Sequence, residues 1–257
     1  MITPLILTYN EEPNIGRTLE SLRWAERVVV LDSGSTDATR AIARSFPNVD
    51  WQVRPFDSHR SQWEYGIRNT GIETAFVLAL DADMSVPAAF VKEIEGGFLR
   101  GDYFGGMTPF EYHMFAERMK GSIYPAQLRV FRRDRVEVAQ QGHTQVFSIE
   151  GPIYRFKTLL IHDDRKPLER WVSSQLSYSI LEQQRITSER SPAMKDRLRG
   201  YGVMPPIVAA LAYLRAGGPL GGAAAIRYAY ERAAFECLLA IRLMSARAEQ
   251  EKKDRLK

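Results

Sequence analysis

A single cysteine, Cys237, stands among 257 residues, which excludes a disulfide framework and any multi-cysteine metal site and fits a reducing compartment. Long uncharged runs are missing as well. The longest in the C-terminal region, Tyr201 to Leu214, is ended by Arg215, well short of the roughly 20 apolar residues of a spanning helix, so no bilayer-crossing segment is expected. The opening MITPLILTYN carries no basic leader before its apolar stretch. It reads as a first strand and not as a secretory signal, and the cytoplasm is the default location. Internal repeats and low-complexity tracts are absent too, and 45% hydrophobic with 26% charged residues is the make-up of an ordinary globular protein.

The net charge of +4 is small, and no nucleic-acid partner is expected, but the charge is unevenly spread. From Lys195 onward 12 Lys and Arg face 6 Asp and Glu, whereas the preceding residues carry 23 against 25. A basic tail of this kind is either a solvated helical face or a surface for an anionic membrane.

Four short apolar runs, Ile2 to Leu7, Val28 to Leu31, Trp51 to Val53 and Phe76 to Leu80, alternate with helical patterns. Ile15, Leu19 and Leu22 follow helical spacing, and a second helix is predicted over Ala38 to Phe46. Runs such as Val28-Val29-Val30-Leu31 do not alternate with polar residues, as expected of parallel strands covered on both faces. The fold class is therefore α/β, a mostly parallel open sheet with helices on both faces. After a helix over Pro87 to Leu99, short strands at Tyr103 to Met107, Leu128 to Phe131, Gln145 to Ile149 and Thr158 to Ile161 are predicted as antiparallel or mixed additions to that sheet. From Pro167 the pattern is helical, to about Glu189, then Val203 to Leu214, then Ala223 to Arg247. The Gly217-Gly218-Pro219 and Gly221-Gly222 cluster breaks the last two. The expected division is 1–166 for the α/β domain and 167–257 for a helical extension.

Ligands of open α/β sheets bind at the carboxyl ends of the strands, and three of those ends are polar: Thr8-Tyr9-Asn10-Glu11-Glu12, Asp32-Ser33-Gly34-Ser35-Thr36-Asp37, and Asp81-Ala82-Asp83. Asp81 and Asp83, two apart after a buried run, aim their carboxylates to one side of the sheet edge. Such hard oxygen donors suit Mn2+ or Mg2+. Asp32 precedes a flexible turn into a helix N-terminus, where a carboxylate can accept from a base or ribose, and Asp37 or Thr36 reads as an ordinary N-cap.

LILTYNEEPNI, VVVLDSGSTDAT and LALDADM resemble, in order and spacing, the bacterial family 2 glycosyltransferases of the GT-A fold, closest to the lipopolysaccharide-core WaaE/KdtX-type branch. The resemblance covers roughly residues 1 to 180. It implies inverting transfer from a nucleotide-diphosphate sugar, a UDP-sugar above others, to a hydroxyl of a lipopolysaccharide-core, lipid-linked or other cell-surface glycan, with a divalent metal. By it, Thr8, Asn10 and Glu12 lie in the nucleoside loop and Asp32 contacts the base or ribose. Asp81 is the first member of the metal motif and Asp83 the direct ligand. His162, in His162-Asp163-Asp164-Arg165-Lys166, faces the diphosphate or metal, and Arg129 suits bidentate phosphate contact. Gln62 is a weaker donor-side match.

One departure matters. Relatives commonly have His-Glu where this chain has Gly142-His143-Thr144-Gln145, and a glutamine cannot take a proton. A related branch carries the same His-Thr-Gln with His-Asp-Asp-Arg-Lys, so the resemblance implies a variant site and not a dead one. Inverting transfer needs a base for the acceptor hydroxyl and a cation for the leaving diphosphate. Candidates for the base are Asp163 and Asp164, then His143, then Glu111. A non-catalytic nucleotide-sugar-binding protein and a nucleotidyltransferase are the rival readings, although the latter's Gly-rich triphosphate loop is absent after the first strand. A haloacid-dehalogenase-type phosphatase is excluded, since its D-x-D follows the first strand. The tail leaves a membrane surface, a homodimer and packing on the α/β domain open.

Overall fold

The computed structural model describes residues 1–142, 144–188 and 193–255. One unit comprises Met1–Ala116, Tyr124–Gln140 and Thr144–Lys166; the other comprises Glu117–Ile123, Gln141–His143 and Pro167–Lys257.

In the first unit the chain runs β1 (Ile2–Thr8), α1 (Ile15–Glu20), β2 (Val28–Asp32), α2 (Thr39–Arg44), β3 (Val49–Val53), α3 (His59–Asn69) and β4 (Phe76–Asp81). It continues through β5 (Met84–Ser85), α4 (Ala88–Gly96), β6 (Gly105–Thr108) and β7 (Phe110–Met114); β8 (Glu117–Arg118) belongs to the second unit. Then come β9 (Gln127–Arg132), β10 (Glu137–Gln141), β11 (Thr144–Ser148), β12 (Ile153–Arg155) and β13 (Leu160–His162). The main sheet has the order β12-β6-β9-β4-β1-β2-β3. β4, β1, β2 and β3 are parallel, and β9 lies antiparallel between β4 and β6. This is the mostly parallel α/β sheet that the apolar runs predict.

Alternate strand residues serve opposite faces. Ile6, Val28, Val30, Leu78, Leu80 and Val130 pack in one cluster, with Ile15 and Leu19 of α1 and Phe90 and Ile94 of α4. Leu5, Val29, Val77, Ala79 and Phe131 face the other way, against Trp63 and Ile67 of α3. Helix α3 starts where Ser58 accepts the Ser61 N–H at 3.1 Å, an N-cap. It lies so close to the sheet that a Cβ on Gly66 would stand 2.9 Å from Leu5 Cδ2.

Two predicted additions to the sheet are placed elsewhere. The Gln145 to Ile149 run becomes β11, which pairs with β10 in a separate two-stranded ribbon, with Phe147 against Trp63 and Phe131 at ring distances of 5.2 and 4.8 Å. The Thr158 to Ile161 run becomes β13, antiparallel to the short β5 and parallel to β7 in a smaller sheet. β5 and β13, two and three residues long, carry too little periodicity to reveal their pairing in sequence.

The second unit is built from α5 (Leu168–Ser188), α6 (Met194–Gly200), α7 (Met204–Arg215) and α8 (Gly222–Arg255). The Gly-rich break is present, with Gly217 at φ 110°. Helix α6 was not expected, and part of the basic excess is not a solvated face. Arg199 is buried and reaches Glu236 at 2.7 and 2.9 Å, Asp196 at 3.0 Å and Glu182 at 3.1 Å. Helix α5 is inverted: its buried residues are Gln175, Ser179, Glu182 and Ile186, while Leu168, Val172, Leu176 and Ile180 are exposed at a strict four-residue spacing. Among the described residues no single helix is long and apolar enough to cross a membrane; Met204–Arg215 and Gly218–Arg255, bent by 69° at their break, pass together by length and composition alone.

Candidate functional site

Strand register brings the polar strand ends together. Thr8 of β1 is paired with Asp32 of β2, and Leu7 with Asp81 of β4, so three strand ends open on one edge of the sheet. The buried Thr8 hydroxyl has no hydrogen-bond partner, and the Thr8 carbonyl accepts from the Ser33 N–H at 2.9 Å. Asn10, in the left-handed region at φ 54°, receives the Thr36 N–H on its side chain at 2.8 Å and donates its own N–H to Ser35 Oγ at 2.8 Å.

Asp32 is buried, with Oδ2 accepting from Gly34 N and Ser35 N at 2.8 Å each and Oδ1 accepting from the Ser35 hydroxyl. It builds the turn that follows β2. Asp37 accepts from Thr39 N at 3.0 Å at the start of α2. Glu12 turns the same way, taking Ala38 N at 3.2 Å, and stands with α2 and not with Asp83. Gln62 is fully buried; its amide donates to Ser33 Oγ and the Arg54 carbonyl at 3.1 Å each, and Arg54 donates to its oxygen. Its role is to hold the Asp32 turn against α3.

At the end of β4, Asp81 is ion-paired with the buried Arg129 of β9 at 3.1 Å. Burial opposes ionisation of Asp81, but the charges of Arg129 and His162 hold its pKa below the ordinary aspartate value. Arg129 also donates to Gln127 Oε1 at 2.7 Å and stacks over Phe110 at 5.6 Å.

The β5 and β13 pairing sets His162 opposite Met84, next to Asp83. His162 Nε2 stands 3.6 Å from Asp83 Oδ1, a buried oxygen with no hydrogen-bond partner. On the other side Lys166 Nζ lies 3.7 Å from Asp83 Oδ2, 2.9 Å from Glu11 Oε1 and 3.3 Å from Asp164 Oδ2. Burial disfavours the Lys166 charge, yet Asp83, Glu11 and Asp164 together hold its pKa well above the lysine range. Burial pushes the Glu11 carboxyl up against the pull of Lys166, and the Asp83 charge adds to the rise.

The following segment is tied back to the β1 loop through Asn14, which is fully buried. Its Nδ2 donates to Glu11 Oε2 and Asp164 Oδ1 at 2.9 Å each, and its Oδ1 accepts from Arg17 at 3.0 Å and Arg165 N at 2.9 Å. Asp163 pairs with Arg165 at 2.7 Å and leaves Oδ1 buried without a partner. Asp164 takes Lys166 N at 3.1 Å. Burial works against its charge, but Lys166 lowers its pKa.

Thr8, Asp32, Asp81, Asp83, His162, Asp163 and Asp164 thus gather at one edge. Glu111 instead meets His113 at 2.9 Å on β7. His143 lies outside the described residues, and Gln145 sits on the β10 and β11 ribbon. Glu11, Asn14, Arg17 and Lys166 were not singled out from sequence. Lys166 closes the His162-Asp163-Asp164-Arg165-Lys166 run and Glu11 and Asn14 lie in the quoted LILTYNEEPNI motif, both signals at hand; Arg17 is an ordinary residue of α1 with none.

Among the described residues no three His, Cys, Asp or Glu side chains form a ready cage for a metal. Asp83 and His162 nevertheless offer one oxygen and one nitrogen around an unsatisfied buried carboxylate atom, a donor set that fits a divalent ion completed by phosphate and water.

The model of glycosyl transferase family 2 matches residues 5–159. The lipopolysaccharide core biosynthesis glycosyltransferase LpsC of Rhizobium meliloti is 25% identical over 232 residues, covering 84% of this chain and 82% of the relative. Glycosyltransferase AglE of Haloferax volcanii is 32% identical over 124 residues, 43% of this chain and 40% of its own length. Two solved structures share the fold at 14% identity: S. aureus TarS 1–349 in complex with UDP-GlcNAc, with a TM-score of 0.53 over 96% of this chain and 92% of that one, and the mannosyltransferase PcManGT from Pyrobaculum calidifontis in complex with GDP-Man and Mn2+, with a TM-score of 0.54 over 95% and 86%. Their architecture is the GT-A type.

Proposed function

Because this chain belongs to glycosyl transferase family 2, we propose that it is an inverting hexosyltransferase that moves a sugar from a nucleotide-diphosphate donor, a UDP-sugar above others, to a hydroxyl of a lipopolysaccharide-core or other lipid-linked glycan. The observation that carries this reading is the bare Asp83 Oδ1 beside His162, at the same sheet edge as Thr8, Asp32 and Asp81. The LpsC relative, a lipopolysaccharide core enzyme over most of both chains, supports the acceptor class.

In this reading the Asp32 turn and the Thr8 to Asn10 loop hold the nucleoside, with the free Thr8 hydroxyl as a ready donor. Asp83 and His162 would hold Mn2+ or Mg2+, which when bound neutralises charge on the departing diphosphate. Arg129 fixes Asp81 in its ionised form. For the proton of the acceptor hydroxyl the geometry favours Asp164 over Asp163: the Asp164 side chain keeps 31% exposure and the Asp163 side chain 9%. Asp163 anchors the loop through Arg165. Lys166 and Asn14 hold Asp164 in place.

The same reading accounts for the inverted α5. Leu168, Val172, Leu176 and Ile180 form an exposed apolar stripe in the unit that carries the positive excess, which suits an anionic membrane surface where a lipid-linked acceptor is presented.

A thermal-shift screen of UDP-, GDP- and other nucleotide sugars with and without Mn2+ tests the proposal, because a ligand bound to the folded state raises its stability. A metal-dependent rise with one nucleotide class is expected. No response to any nucleotide, or release of no nucleotide from any donor, overturns it.

A further inference from the structure

We propose that Lys166, held by Glu11 and Asp164, is a resident cation that keeps Asp83 from taking up a divalent metal until a diphosphate arrives. The inference rests on Asp83 being the metal-binding carboxylate. Lys166 Nζ sits among these three side chains at 2.9, 3.3 and 3.7 Å, and its side chain is only 17% exposed. Asn14 Nδ2 donates to both Glu11 and Asp164 at 2.9 Å, which holds those two carboxylates against Lys166. Lys166 faces three carboxylates, Arg17 adds a second positive charge toward Asp83 and Asp164, and Asp83 Oδ1 stays unsatisfied among them.

A divalent ion drawn to Asp83 in the free protein meets the ammonium within a few ångströms, and two cations at that distance in a buried setting repel strongly. A nucleoside diphosphate changes the balance. Its phosphates give the flexible lysine stem another partner and supply the oxygens a hard dication needs. Metal and nucleotide should then bind with positive coupling, which is reciprocal. The five-residue run from His162 to Lys166 therefore places a metal-facing side chain and the cation that guards it on one short segment.

The test is Mn2+ binding followed by the resonance of the free hexaaqua ion, with Mn2+ alone and with Mn2+ plus UDP or GDP. Wild type is expected to bind Mn2+ weakly alone and at least tenfold more tightly with the nucleotide. Lys166→Met should bind Mn2+ alone at least tenfold more tightly than wild type, with little further gain from nucleotide, and Lys166→Arg should behave as wild type. Adding Asp83→Asn to Lys166→Met should erase the gain. Equal Mn2+ affinity of wild type and Lys166→Met overturns the proposal, as does a gain that survives Asp83→Asn. Should Lys166→Met not fold, the wild-type protein decides: bound nucleotide with no change in Mn2+ affinity overturns the proposal. A wild type that binds no nucleotide under any condition sinks the transferase reading but leaves the Mn2+-only comparison of the variants intact.

Discussion

The backbone N–H of Asp163 donates to the backbone carbonyl of Asp83 at 3.0 Å. The segment after β13 is thus fastened to the D-x-D segment through main chain, and exchanging either carboxylate leaves that fastening in place. Effects of such substitutions on ligand binding can be separated from effects on the fold.

Asp83→Asn is accordingly expected to keep its melting temperature within a few degrees while weakening Mn2+-dependent donor binding at least tenfold in calorimetry, about 1.4 kcal/mol or more. Near-normal turnover with the same Mn2+ dependence would remove Asp83 from the metal site.

Asp164→Asn and Asp163→Asn should behave differently. The first should lose transfer by about 10² to 10⁴ in rate with donor binding retained, as when a positioned base is removed. The second should lose about 1 kcal/mol of stability or less, since its ion pair with Arg165 is screened at the half-exposed arginine. Stopped transfer assays and thermal melts read the two; wild-type rates in Asp164→Asn would move the base elsewhere, with His143 next in line.

Asp32→Ala removes the acceptor for Gly34 N, Ser35 N and the Ser35 hydroxyl. A loosened turn should raise the donor KM several-fold with a smaller change in kcat, the mark of binding shared by ground and transition states. An unchanged donor Kd would limit Asp32 to local backbone support away from the nucleoside.

Glu93 gives a pH prediction. Burial opposes its charge, but N–H donors from Lys157 and Thr158 at 2.8 Å each and the Tyr154 hydroxyl at 3.2 Å hold its pKa below the ordinary 4.5. A folded-state value below the unfolded one gives stability that is complete above about 4.5 and fades as pH falls through the lower folded value. Glu93→Gln should therefore be less stable than wild type at neutral pH, with the gap closing below about pH 4 in urea melts. A gap that is constant with pH would show that the carboxylate charge is not involved.

Vesicle sedimentation addresses α5. Binding to anionic vesicles at low salt that is lost at high salt is expected, and Leu176→Asp with Ile180→Asp should abolish it. Wild type that stays in the supernatant at low salt excludes this docking.

The central sheet was legible because Val28 to Leu31 and Phe76 to Leu80 are apolar at every position, a pattern that parallel, doubly covered strands impose. Asp32, Asp81 and Asp83 were legible because each directly follows such a run. Glu11 and Lys166 were not. Their significance lies in a contact between residues far apart in the chain, and β5 and β13, which align the segment carrying Lys166, are too short to announce their pairing. Helix α5 shows a further limit: its leucine and isoleucine stripe has ordinary amphipathic spacing, and only the packed structure shows that the polar side is the one turned inward.

The pairing of Lys166 with Glu11 spans 155 positions along the chain, and that of Asn14 with Asp164 spans 150. Closing a loop of that length costs more entropy than closing the local helices and hairpins, and contacts of high sequence separation form slowly. During synthesis the sheet strands up to β4 can assemble while the final piece of the site is still untranslated. A nascent or truncated chain ending before residue 162 would therefore display the Asp32 turn and the D-x-D carboxylates with neither histidine nor lysine beside them, so this strand-end pocket closes only after the sheet that frames it and before the helices of the second unit.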